Sequence, residues 1–169
     1  MPVAKPTLAA RLMLCLAALL LIAASAQAND LTISNISLTG QDTVNNFILV
    51  QFDITWDNSW RVTGDPNNWD AVWVFVKYRV DGGPWQHARL NTTGHTPVSG
   101  STIETPTDGT GVFIYRSLDG TGTLTLMGVQ LRWNYGANGL DDNESDVEVR
   151  VLGIEMVYVP QGAFRSVSF

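Results

Sequence analysis

Beyond residue 30 the apolar positions of this chain recur with a period of two. No stretch repeats them at i, i+3, i+4, i+7. Leu31, Ile33, Ile36 and Leu38 describe a first strand with a slip near Asn35. Ile48, Val50, Phe52, Ile54 and Trp56 share one face of a long second strand. Val72, Val74, Val76, Tyr78 and Val80 line a third, whose other face begins apolar at Trp73 and Phe75 and ends charged at Lys77 and Arg79. Asp81-Gly82-Gly83-Pro84 is a turn signal and predicts a hairpin into a strand from Trp85 to Leu90. Val112 to Tyr115 reads as a short buried strand, and Asp119-Gly120-Thr121-Gly122 as a turn. Leu124 and Leu126 fall out of phase with Val129, Leu131 and Trp133, which predicts a bulge near Met127-Gly128. The last strand, Val147 to Val159, changes phase around Gly153, the mark of a bulge or a change of sheet.

Seven or eight strands separated by Gly-, Asn- and Asp-rich turns predict an all-β fold, an antiparallel β-sandwich of immunoglobulin-like type. A β-barrel or jelly roll is also compatible with the pattern.

The first 28 residues do not belong to that pattern. Lys5 and Arg11 precede an uncharged, mostly apolar run from Leu12 to Ala26, shorter than the roughly 20 residues of a spanning helix. Ala26-Gln27-Ala28 supplies small residues for cleavage, and polar Asn29-Asp30 follows. The expectation is a signal-peptide helix over 1–28, cleaved after Ala28, and a protein exported to the periplasm or outside the cell. No membrane span then remains. The division expected is 1–28 signal, 29–153 sandwich, and 154–169 a final strand with the stub of a further domain.

Composition sharpens this. The 169 residues carry 10 Lys and Arg against 16 Asp and Glu. Removing the signal takes away two basic residues and no acidic one, so the net charge moves from −6 to −8. Such a chain is a poor nucleic-acid ligand. The only cysteine, Cys15, leaves with the signal. Disulfides and cysteine-zinc sites are thereby excluded, and the fold must rest on its core.

Candidate chemistry is sparse. His87 and His95 lack a third ligand at telling spacing and read as structural. Asp141, Asp142, Asn143, Glu144 and Asp146 carry calcium-type oxygens. Asp146 and Leu152 stand where a calcium loop of the EF-hand kind needs Gly and Glu, so a solvated turn is expected. Asp119 reads as a turn residue capping its own backbone. Carboxylate-pair catalysis has no distinguished pair. No nucleophile elbow, phosphate loop or zinc-protease motif is present. No metal, cofactor or catalytic residue is therefore assigned. Of the six tryptophans, Trp56 and Trp133 read as core. Trp60 and Trp69 bracket a polar stretch that reads as a long loop containing Asn67 and Asn68. Aromatic faces beside amides suit sugar rings. Trp60, Trp69, Asn67 and Asn68 thus form a candidate surface for a glycan or a cell-surface protein. The competing reading has both rings covering the end of the core.

The segment Met156-Val157-Tyr158-Val159-Pro160-Gln161-Gly162-Ala163-Phe164 resembles the opening of the formylglycine-generating-enzyme family, the sulfatase-modifying factor domains. Those domains begin close to Met-Val-x-Val/Ile-Pro-x-Gly-x-Phe. The stretches Trp56–Arg61, Asn68–Tyr78 and Leu131–Asn138 are similar to a secreted β-domain that precedes such domains in some bacterial proteins. After Phe164 only Arg165-Ser166-Val167-Ser168-Phe169 follow. The family's catalytic cysteines have no counterpart, so no catalytic residue carries over. The resemblance implies a non-catalytic accessory domain, truncated as the enzyme domain would begin. The alternative is an independent binding module that uses the loop tryptophans.

Overall fold

The computed structural model describes residues 29–158 apart from Pro66 and Ser145, with the backbone alone at Val157 and Tyr158. The expected signal over 1–28 and the motif beyond Tyr158 lie outside the described residues.

The described chain is all β, with eight antiparallel strands: β1 Thr32–Asp42, β2 Phe47–Val62, β3 Asn68–Val80, β4 Gln86–His87, β5 Ser101–Glu104, β6 Val112–Arg116, β7 Gly120–Trp133 and β8 Val147–Tyr158. A 3-10 turn at Tyr135–Asn138 separates the last two. β2 lies between β1 and β7. β3 lies between β8 on one side and β4 and β6 on the other, with β5 beyond β6. The two groups are joined where Arg61 and Val62 of β2 pair with Trp69 and Asn68 of β3. This arrangement is consistent with a β-sandwich.

The core follows from strand alternation. Val50, Phe52, Ile54 and Trp56 of β2 and Leu124, Leu126, Val129, Leu131 and Trp133 of β7 point inward. They meet Val72, Val74, Val76 and Tyr78 of β3, Val112 and Ile114 of β6, and Val151 of β8 in a single buried cluster. The Tyr78 and Trp133 rings pack 4.9 Å apart between the layers.

Two slips predicted from the sequence are bulges. Between Ser34 and Ser37 β1 takes an extra residue, with Asn35 at φ +52°. Opposite Asp53, β7 takes Met127 and Gly128, with Gly128 at φ +78°. Glycine meets that backbone angle without steric cost. One carboxylate secures both bulges. Asp53 Oδ2 accepts from Asn35 Nδ2 at 2.6 Å, and Oδ1 accepts from the Gly128 amide at 2.7 Å. A third bulge, at Asp57-Asn58, was not foreseen; it separates the pairs Trp56↔Leu124 and Ser59↔Gly122. The buried Asp70 carboxylate holds it. It accepts from Trp56 Nε1 at 2.6 Å, Ser59 Oγ at 3.1 Å and the Trp60 amide at 2.8 Å.

Several expectations need correction. The strand after the hairpin is only Gln86–His87. After Ala88 the chain leaves β3 and crosses to the far edge of β7, where Leu90 and Thr96 pair with Trp133 and Gln130. No bulge lies at Gly153, because β8 pairs with β3 in unbroken register from Val147 to Tyr158. The phase change is instead a change in which face of β8 is apolar. Gly153 points inward, where an added Cβ would lie 3.0–3.1 Å from Leu31, Val72 and Ile33. The missing side chain lets β1 close over β8. Asp119 caps a neighbour and not itself, accepting from the amide and hydroxyl of Thr63, each at 3.0 Å.

His95 is half-buried and joined on both ring nitrogens. Nδ1 accepts the Arg132 amide at 3.0 Å, so the proton sits on Nε2, which donates to the Asn91 carbonyl at 2.7 Å. Burial lowers its pKa from the ordinary value, and the Arg132 charge acts in the same direction against the Asn91 carbonyl.

Replacing Asp70 by Ala leaves three donors without their acceptor and should cost about 3 kcal/mol. Asp53→Ala, in a more accessible setting, should cost about 1–2 kcal/mol. Urea unfolding of the two variants tests this ordering. The His95 pKa is depressed by folding, so the unfolded chain takes up the proton first. Stability is then full above the unfolded value and falls as pH drops below about 6.5. Unfolding midpoints at about pH 7.5 and about pH 5.5 should differ less in His95→Gln than in wild type.

Candidate functional site

The outward face of an antiparallel sheet is ordinarily polar, because only one side is covered. In β3 and β8 it is not. Register places Trp73 opposite Ile154, Phe75 opposite Leu152 and Ala71 opposite Met156, all facing away from the core. Phe113 of β6 joins them opposite Trp73, with the two rings 4.7 Å apart at 54°. Leu152, Ile154 and Met156 are 39%, 55% and 45% exposed. Trp73, Pro106, Phe113, Ile154 and Met156 line a shallow groove of about 340 Å³. Its floor depends on a glycine. A Cβ at Gly111 would come within 2.5 Å of the Trp73 indole and 2.7 Å of the Val74 carbonyl. A contiguous apolar patch of this kind marks an interaction surface more often than a scattered apolar residue does.

The ends of this face are charged. Towards one end Lys77 faces Arg150, and Arg79 faces Glu148. Arg79 grips Glu148 through two bonds, at 2.7 and 2.8 Å. That bond holds the Glu148 carboxyl below its usual range and raises Arg79. The Arg79 and Arg150 guanidinium groups lie 4.8 and 4.3 Å from the Trp85 ring. Towards the other end the Arg61 guanidinium lies 4.8 Å from the Trp69 ring and 5.3 Å from that of Tyr115. Arg61 Nη1 donates to the Arg116 carbonyl at 2.9 Å. Tyr115 donates to Glu104 at 3.1 Å, and burial, then Glu104, pushes its hydroxyl pKa up.

This geometry separates the residues predicted to act together. The polar stretch is not a long loop. β2 runs to Val62 and β3 starts at Asn68, so Trp60 and Trp69 are both strand residues. Three bonds to one buried carboxylate keep the backbone extended where polar residues suggested a loop. Arg61 stands opposite Trp69, so Trp60, one residue earlier, projects to the other face. Trp69 packs with Arg61 and with Tyr115, whose ring lies 5.6 Å from its own. Asn67 is exposed in the short connection, and half-buried Asn68 pairs with Val62.

Elsewhere, His87 bonds the Thr110 carbonyl and stacks on Phe75. Asp141 accepts the Asn143 amide at 2.8 Å, as a turn residue does. No helix of the described residues is long and apolar enough to cross a membrane.

Two sequence signals pointed at the apolar face without being joined. One was the apolar outer side of the third strand, and the other was the phase change at Gly153. Pairing of β3 with β8 merges them. No protein-family model, curated protein or solved structure matches the chain.

The dye 8-anilinonaphthalene-1-sulfonate should bind the folded chain at this face. Ile154→Lys and Met156→Lys should each reduce its fluorescence while changing stability by no more than about 0.5 kcal/mol, since both side chains face solvent. Unchanged dye uptake in both variants would place the dye elsewhere.

Proposed function

We propose that this chain is a non-catalytic, exported β-sandwich of immunoglobulin-like kind that works by presenting an apolar sheet face to a partner. In this reading it is an accessory to a formylglycine-generating-enzyme-like domain. The single observation that carries the proposal is the run of outward apolar residues Leu152, Ile154 and Met156 beside Trp73 and Phe113. Exposed apolar surface on this scale opposes solubility unless something uses it. A second feature supports the accessory role. The same strand leads into the Met-Val-x-Val-Pro motif, so the apolar face lies where the chain passes towards the segment with the family resemblance.

Glycan binding through Trp60 and Trp69 has weaker support, because the two rings occupy opposite faces and Trp69 already packs against Arg61 and Tyr115.

Two measurements test the proposal. N-terminal sequencing of the protein recovered from outside the cytoplasm should begin at Asn29; a start at Met1 would remove export. Nucleotide sequence beyond codon 169 should encode an enzyme-like segment in one of the three frames, and its absence sinks the accessory role.

A further inference from the structure

Strand edges expose unpaired amides and carbonyls, and stable proteins blunt them with bulges, prolines, lysines or brevity. Three edges here are treated in that way. β1 has register shifts after Ser34 and after Thr39. β5 is only Ser101–Glu104. The far edge of β7 is met by Leu90 and Thr96. β8 is different. Among the described residues it pairs with β3 and with no other strand. Its twelve residues keep one register throughout and include no proline, lysine or bulge.

We propose that the free edge of β8 pairs with β8 of a second copy of this chain, antiparallel and about a two-fold axis through Gly153. The proposal rests on the reading of this region as an interaction surface; the pairing buries the strand edge and sets the two apolar faces side by side. The strand is self-complementary in this register. A two-fold axis perpendicular to the sheet keeps both outward faces on the same side. Leu152 of one copy then stands beside Ile154 of the other, and Arg150 beside Met156. On the inward side Gly153 meets Gly153, and Glu155 falls beside Val151. The three charges of the strand, Glu148, Arg150 and Glu155, meet no like charge across the junction. The apolar patch of each copy becomes continuous with the other, and the edge amides and carbonyls gain partners.

Sedimentation of the purified exported chain over a range of concentrations tests this, with hydrogen exchange as a second readout. Wild type should pass from monomer to dimer. Ile154→Lys should weaken the dimer by about tenfold or more. Val44→Lys, at a fully solvated turn between β1 and β2, should leave it unchanged. Amides of β8 should gain protection as concentration rises, and those of β1 and β5 should not. A chain that stays monomeric, or a dimer indifferent to Ile154→Lys, overturns the proposal. Protection of β8 that does not depend on concentration also overturns it, and assigns the edge to the chain's own C-terminal segment. A monomer whose dye uptake still falls in Ile154→Lys removes the second copy but keeps the interaction surface. A monomer with no dye uptake at this face removes both.

Discussion

The Asp53 carboxylate holds the central strand of the first layer in register with both neighbours. In a sheet with one buried face, a slip of one residue turns every apolar side chain to solvent. β1 and β7 each carry such a slip, and they carry it at the same height along β2. The two oxygens of Asp53 reach the two bulges, one through Asn35 and the other through the Gly128 amide. Leu124 and Leu126 therefore face the core together with Val129, Leu131 and Trp133, although the spacing between the two sets is odd. Asp70 does the same for the far end of β2. Its carboxylate is almost inaccessible, yet three donors compensate its burial. Two acidic residues thus decide how a largely apolar core is threaded.

That threading determines which surfaces are left open. The crossing after Ala88 covers β7, the bulges break up the edge of β1, and β5 is short. β8 is regular because Gly153 makes room for Leu31 and Ile33, and no bulge is needed to clear them. The regular edge and the apolar outer face share a cause. Val147, Val149 and Val151 serve the core, and beyond Gly153 the inward space is already filled by β1. The apolar residues of that stretch, Ile154 and Met156, stand on the other side. There they meet Trp73 and Phe113, and a continuous apolar face results.

Much of this was legible in the amino-acid sequence. Period two marked the strands, and the odd spacings around Asn35 and Met127-Gly128 marked the bulges, because one extra residue shifts the apolar phase in a way a reader can count. The core positions on β2, β3 and β7 followed from the same alternation. The bulge at Asp57-Asn58 was hidden, since the residues around it are polar and show no phase to shift. The same polarity made Asp57 to Asn68 look like a loop. Asp70, which keeps this segment extended, lies in a different strand from the residues it binds, and local pattern carries no record of that partner. At Gly153 the phase change was real, but it marks neither a bulge nor a change of sheet; the apolar face of the strand changes there, and the strand's own residues do not reveal that.

By itself the sequence determined the strand content, the inward residues of the long strands, the presence of a single cysteine, and the acidic balance. These depend on side-chain type and spacing along one strand. Only the tertiary structure decided what lies beside what. It set Trp60 and Trp69 on opposite faces, brought Asp119 to Thr63, and joined the outer sides of β3, β6 and β8 into one apolar surface. The physical reason is common to all three. Each is a contact between strands, and strand pairing is set by the packing of the whole core and by the carboxylates that hold its bulges.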